Sequence, residues 1–236
     1  AFFDISRLDV NLIEAQLGPS FSFGRFGFKG ARLGVYGIGG ATALDRTLYT
    51  TQYGAGARLQ VALGTVALFD SRNEFRVVNY TNSSSYPTVR LQTGEEFSTV
   101  NTVTASINAR MIVQANAYAR IISARANFKT YDEAGTSLRA TRYFYLPSAG
   151  PLAGDVPWSV SLAGGALIRR YDAPDPVINA FEAEDDDALW AEIGLSAPLK
   201  YGFSVFATGQ LRRQWSNYDT RDFTNAIATV GLSKRF

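Results

Sequence analysis

The 236-residue sequence predicts an all-β fold, a transmembrane antiparallel up-and-down β-barrel of twelve strands. Three observations carry this. Apolar residues recur at every second position in segments of roughly ten residues, the period of a strand and not of a helix. The connections alternate between short turns and long polar loops, the asymmetry of a membrane barrel. And although 46% of the residues are apolar, no stretch approaches the ~18–20 uninterrupted apolar residues that a membrane helix needs.

Taken in order, the first alternating segment is 5–17, followed after Gly18-Pro19 by Ser-Phe-Ser-Phe-Gly-Arg-Phe-Gly-Phe at 20–28. Segments at 31–44, 48–63, 66–80, 97–112 and 117–131 come next, with a shorter one at 138–146. The pattern is clearest beyond Trp158. There Trp158, Val160, Leu162, Gly164, Ala166 and Ile168 share one face, and Ser159, Ser161, Ala163, Gly165, Leu167 and Arg169 the other. Leu189 to Leu199 alternates against Trp190, Glu192, Gly194 and Ser196, and Phe203 to Leu211 against Ser204, Thr208, Gln210 and Arg212. The last segment sets Ala226, Ala228, Val230, Leu232 and Phe236 opposite Asn225, Thr229, Ser233 and Arg235. Single-chain bacterial barrels have an even strand number. Splitting 1–28 at Gly18-Pro19 supplies the twelfth strand; ten or fourteen strands are the alternatives. The whole chain, 1–236, reads as one barrel domain, trimmed at its start and open to a missing upstream strand or periplasmic domain.

Short turns are expected at Gly64-Thr65, Gln114-Ala115-Asn116 and Lys200-Tyr201-Gly202, and long loops from Asn79 to Glu96 and from Asp172 to Asp187. Aromatic residues gather towards segment ends as membrane-interface girdles do: Tyr49, Tyr53, Tyr80, Phe97, Tyr118, Phe128, Tyr131, Trp158, Trp215 and Tyr218. A soluble β-sandwich or lipocalin-like barrel would turn its apolar face inward, with Leu, Ile and Met in a core. Here that face is rich in Ala, Gly and Val, and the opposite face of each strand is polar.

Composition excludes much chemistry. With no cysteine there is no disulfide or thiol nucleophile, and with no histidine the commonest general base and metal ligand are missing. No enzyme activity, cofactor or metal is expected. A formal charge of +2 argues against nucleic acid as a partner.

The expected lumen face is where function is sought. Asp70, Arg72, Glu74 and Arg76 share one phase of their strand, and Arg58, Arg110, Arg125, Lys129, Arg169, Glu192, Arg212 and Arg235 take the same phase on others. One account pairs these charges to fill a narrow interior; the other makes them a constriction whose arginine excess favours anions. Glu182, Glu184, Asp185, Asp186 and Asp187 form an acidic run in a long outer loop, read as solvated and bridged through cations to lipopolysaccharide. It lacks the spacing of a calcium loop. Gly37-Ile38-Gly39-Gly40 has no strand–helix context for phosphate binding and reads as close strand packing.

The chain stops on Phe236, with Val230 and Leu232 on the same face. This resembles the C-terminal assembly signal of Gram-negative outer-membrane β-barrel proteins, departing from it at Lys234, where an apolar residue is usual. The resemblance implies the bacterial outer membrane as location. It also implies outer-membrane lipids, lipopolysaccharide and the barrel-assembly machinery as partners, with other envelope proteins as further candidates. Barrel enzymes of that membrane centre on a histidine, which this chain lacks. The closing stretch, Arg212-Arg213-Gln214-Trp215-Ser216-Asn217-Tyr218-Asp219 and Val230 to Phe236, is also similar to the C-terminal barrels of repeat-plus-barrel proteins, the surface-lipoprotein assembly modifiers and polysaccharide exporters. The expected function is a narrow pore or export channel with a charged lumen. A plugged barrel anchoring a larger envelope complex is the alternative.

Overall fold

A computed structural model describes residues 10–24, 30–44, 47–146 and 157–234. Twelve strands form one antiparallel sheet: β1 (Val10–Leu17), β2 (Ser20–Ser22), β3 (Ala31–Leu44), β4 (Thr47–Leu63), β5 (Ala67–Tyr80), β6 (Gly94–Asn108), β7 (Met111–Ala124), β8 (Tyr131–Phe144), β9 (Trp158–Tyr171), β10 (Asp185–Pro198), β11 (Phe203–Ser216) and β12 (Phe223–Lys234). From β3 onward each strand pairs with the next in sequence. The all-β, up-and-down architecture is the expected one.

The break at Gly18-Pro19 falls where the sequence placed it, but it does not start a new row. Leu17 pairs with Gly37 and Ser20 with Gly34, so β1 and β2 run collinearly along the same edge of β3 in unbroken register. Pro19 has no N–H to donate, and its carbonyl instead accepts the Val35 amide at 3.1 Å. Twelve strands therefore occupy eleven rows.

One end of the sheet, the turn end, has connections at 64–66, 109–110 and 199–202, with the longer 145–157 as its exception; the other, the loop end, carries 81–93 and 172–184 beside the shorter 125–130 and 217–222. The long loops are as expected. The turn expected at Gln114-Ala115-Asn116 is instead mid-strand in β7, and the reversal is at Ala109-Arg110. Asn116 is tolerated in a strand because its amide oxygen accepts the Thr102 hydroxyl across the inner face. In consequence β6, β7 and β8 each begin several residues before the positions read from sequence. The chain turns between β10 and β11 on Tyr201 (φ 61) and Gly202 (φ 75), two left-handed residues in succession, as a tight hairpin requires.

The sheet is strongly curled. Tyr80 at the end of β5 and Arg221 after β11 line one cavity of about 230 Å³. On a flat sheet the six inter-strand spacings between β5 and β11 would span about 29 Å. Four aromatic rings on the concave face lie over glycines of a neighbouring strand. A Cβ added at Gly56 would sit 2.6 Å from the Tyr36 ring, and at Gly135 2.5 Å from Tyr118. At Gly165 it would lie 2.8 Å from Trp190, and at Gly231 2.2 Å from Phe206. These glycines let bulky rings lie flat on the wall.

The convex face of β9 to β12 is apolar and exposed, with Leu162, Ile168, Leu189, Ile193, Leu211, Val230 and Leu232 outermost. At the turn end Phe144 packs on Trp158, and Lys234 lies over the Phe203 ring at 5.1 Å. Other aromatics depart from the expected girdle. Tyr118 is on the concave face, Tyr49 and Tyr80 stack edge to face at 5.5 Å, and Tyr218 is buried under the loop end. The convex face also has a polar interruption: Asn73 donates to Ser71 and Asn101 to Thr99, each at 3.3 Å.

Candidate functional site: the concave face

Strand parity puts Arg58, Asp70, Arg72, Glu74, Arg76, Arg169, Glu192 and Arg212 on the concave face, where sequence placed them. Three candidates are elsewhere. Arg110 sits in the turn between β6 and β7, Arg125 in the connection after β7, and Lys129 in the short helical turn Asn127–Lys129 at the loop-end mouth. All three follow from the misplaced β6–β7 turn. Arg235 and Phe236 lie outside the described residues, whereas Val230 and Leu232 face outward on β12.

Towards the turn end, Arg58 on β4 and Arg72 on β5 are directly opposite one another. Like charges in that position repel. Asp70 relieves one of them: it accepts Arg58 Nε at 3.0 Å and Nη2 at 2.5 Å, and Gln60 Nε2 at 2.8 Å. Arg72 is half exposed, its nearest carboxylate oxygen among the described residues being Glu74 Oε1 at 3.8 Å. Two cavities meet at this pair. One of about 320 Å³ is lined by Arg58, Arg72, Thr102, Thr104 and Gln114. The other, about 310 Å³, is lined by Arg32, Arg58, Arg72, Tyr36 and Gln16.

At mid-height the charges are locked together. Arg76 donates to buried Glu74 at 2.7 Å and reaches across β4 and β3 to Glu14 on β1 at 2.8 Å. Tyr36 donates its hydroxyl to Glu74 Oε1 at 2.8 Å, and Gln52 donates to Glu14 at 2.7 Å. On the other side Arg139 donates to Glu192 at 2.8 Å, passing over Ser161 of the intervening β9. Arg212 donates to Gln214 at 2.9 Å and lies over the Phe223 ring. Every well-buried carboxylate of this layer has a guanidinium partner, as burial demands.

The loop-end mouth carries a further set of paired charges. Arg120 grips Glu96 with two bonds, 2.8 and 2.9 Å, and Arg169 bonds Glu133 while lying over the Tyr131 ring. The 172–184 loop folds over this layer: Lys129 donates to Asp175 at 3.1 Å, and Tyr218 donates to the Glu182 carbonyl at 2.6 Å. The acidic run is divided. Glu182 and Glu184 end the loop, while Asp185, Asp186 and Asp187 begin β10. Asp185 and Asp187 face outward beside Arg170, at 3.7 and 2.8 Å. Glu184 and Asp186 are buried, which corrects the reading of a uniformly solvated loop. Burial first, and then the neighbouring Asp186, raise the Glu184 carboxyl above its ordinary value; Arg221, 3.6 Å away, pulls the other way.

Sequence reasoning missed Glu14, Tyr36, Glu96, Arg120, Glu133 and Arg139. Each lies at an inward parity position, and the register that pairs it was not visible. With these included, the concave face holds close to one carboxylate for every arginine, so the basic excess read from sequence survives near Arg32, Arg58 and Arg72 and at Arg212, whose partners are Gln214 and the Phe223 ring.

No protein-family model matches the sequence, and no curated protein does. Among solved structures, the siderophore receptor PirA from Pseudomonas aeruginosa is similar over 99% of this chain and 40% of that receptor, with 11% sequence identity and a TM-score of 0.49. The chain thus spans less than half of the receptor's length.

Proposed function

We propose that this chain is an outer-membrane β-barrel of a Gram-negative bacterium that passes small anions along the Arg32–Arg58–Arg72 wall. The membrane part of the reading is supported by the exposed leucines, isoleucines and valines of the convex face. Most are about half exposed, so each costs in water about half of the ~1.5–3 kcal/mol of a fully exposed side chain, a cost that lipid removes. Long loops at one end and short turns at the other support an orientation with the loop end outside. Lipopolysaccharide and the barrel-assembly machinery are the partners this reading carries. The closing stretch's likeness to repeat-plus-barrel proteins extends it to a periplasmic domain upstream. No catalytic role enters it.

The observation that carries the anion path is Arg72. It faces another arginine across the ladder, is half exposed, and borders two cavities. A purely structural interior would pair it tightly, as it pairs Arg76 and Arg169. Single-channel recording in planar bilayers tests the reading. Arg72→Ala is expected to lower anion over cation permeability severalfold, and Arg125→Ala, in a connection, to leave it unchanged. A silent barrel, or equal currents in wild type and Arg72→Ala, would sink it.

A second reading, a plugged anchoring barrel, is favoured by the mid-height network, which ties β1 to β5 through Arg76, Glu14 and Gln52. Silent wild-type channels that open on Arg76→Ala would select it.

A further inference from the structure

Eleven rows have a consequence for strand direction. β1 begins at the loop end, opposite Leu44, and β12 also begins there, with Phe223 opposite Gln214. The two edge strands therefore run parallel to one another. Among the described residues no ladder joins them. Their side chains stand exposed on both faces: outward, Ile13 and Leu17 of β1 and Val230 and Leu232 of β12; inward, Leu12 and Ile227, the last two at 63% and 51%. Every interior strand is flanked on both sides and is less open. On each edge strand the N–H and C=O groups that point away from β3 or β11 face the seam, and such groups in an apolar surrounding are costly unless paired.

We propose that this seam takes up one extended polypeptide strand that runs from the turn end to the loop end, antiparallel to both β1 and β12. One such strand makes the row number even and turns both edges into antiparallel ladders. The flanking side chains specify its character. Outward neighbours Ile13, Ala15, Leu17, Ala226, Ala228 and Val230 call for apolar residues at alternate positions. Inward neighbours Glu14, Gln16, Asn225 and Thr229 call for polar ones, with an apolar contact for Leu12 and Ile227. The collinear β1 and β2 row and the twelve-residue β12 set its length at about twelve residues.

A second copy of the chain does not fit. Two copies with the same membrane orientation would bring β12 of one beside β1 of the other, again parallel. A β1-to-β1 antiparallel contact would need one copy upside down. That exclusion rests on the membrane reading above, while the strand-polarity argument stands without it.

The absence of cysteine from these 236 residues allows a direct test on the protein extracted in mild detergent from the membrane that contains it. Outward positions Ile13, Ala15 and Leu17 are each replaced by Cys in combination with Cys at Ala226, Ala228 or Val230. Disulfides need Cα atoms within about 7 Å, which adjacent strands satisfy and strands one row apart, about 9.6 Å, do not. Leu211→Cys with Ala226→Cys, directly opposed on β11 and β12, defines full yield. The expected result is no cross-link in any of the seam pairs, together with amide exchange in β1 and β12 as slow as in β7 and β8. A cross-link at any seam pair would show direct parallel closure and overturn the proposal. Absent cross-links with fast exchange in β1 and β12 would show an empty seam and overturn it equally. A chain that leaves the membrane fraction without detergent refutes the membrane reading, whatever the seam shows.

Discussion

Replacing Gly56 by Ala should cost far more than its single methyl suggests, because of what lies over it. The new Cβ would stand 2.6 Å from the Tyr36 ring carbons and 2.8 Å from its hydroxyl, so the ring must lift off the wall. Overpacking of this kind costs ~1–3 kcal/mol. Lifting the ring also breaks the Tyr36 hydroxyl's 2.8 Å bond to Glu74, a carboxylate only 5% exposed. A hydrogen bond to a charged group is worth ~1.5–3 kcal/mol. Arg76 still holds Glu74 from the other side, so the lower half of that range applies and the sum is about 4 kcal/mol. Denaturant unfolding of the barrel in lipid vesicles, followed by tryptophan fluorescence, gives the measurement. The decisive control is the same substitution in a Tyr36→Ala background, where the space above position 56 is empty. There Gly56→Ala is expected to change stability by less than about 0.5 kcal/mol, the level of an independent site. Equal losses in the two backgrounds would refute the argument that ring and glycine act as a pair.

Glu184 predicts a pH dependence. Its carboxyl titrates above the ordinary 4.5, so the folded protein holds this proton more tightly than the unfolded chain does. Its contribution is therefore fully present below pH 4.5 and is lost as pH rises through the folded value. Glu184→Gln should flatten that fall in the unfolding midpoint, and an unchanged slope would count against it. Tyr201 is a non-glycine residue at φ 61 on an exposed hairpin, so Tyr201→Gly or Tyr201→Asn should stabilise by ~0.5–1 kcal/mol, read from the same unfolding curves. Glu192→Gln leaves Arg139 on the concave face with a weakened partner. Raised anion permeability in bilayers is the expected outcome, and raised cation permeability would reverse the assignment.

The legible parts of this molecule were those in which one strand reports on itself. Trp158 to Arg169 keeps the period, and its outward and inward sets are those read from the residues. The inward parity of Arg58, Arg72 and Arg76 needed only that period. What failed was punctuation. The β6–β7 reversal uses Ala109-Arg110, with neither Gly nor Pro to mark it, while Asn116 carries a turn-like side chain into mid-strand. The partners of the charges were hidden for a different reason. Glu14 meets Arg76 only once β1, β3, β4 and β5 are aligned, and that alignment belongs to the register of four strands, not to either residue. Burial was hidden too. Asp186 and Asp187 read alike in sequence, yet one points inward and is 1% exposed while the other points out beside Arg170.

The nearest-neighbour pairing of the strands bears on how the sheet is built. Each ladder from β3 to β12 joins segments separated by a single connection, so even where that loop is long the closure entropy at each step is that of one connection and not of the whole chain. Such a chain has low contact order for a β-protein. It can assemble by adding hairpins to a growing edge, with no distant segment to thread. Bringing the β1 and β12 edges to their final places is then the one slow, long-range event, set against the entropy of the whole intervening chain.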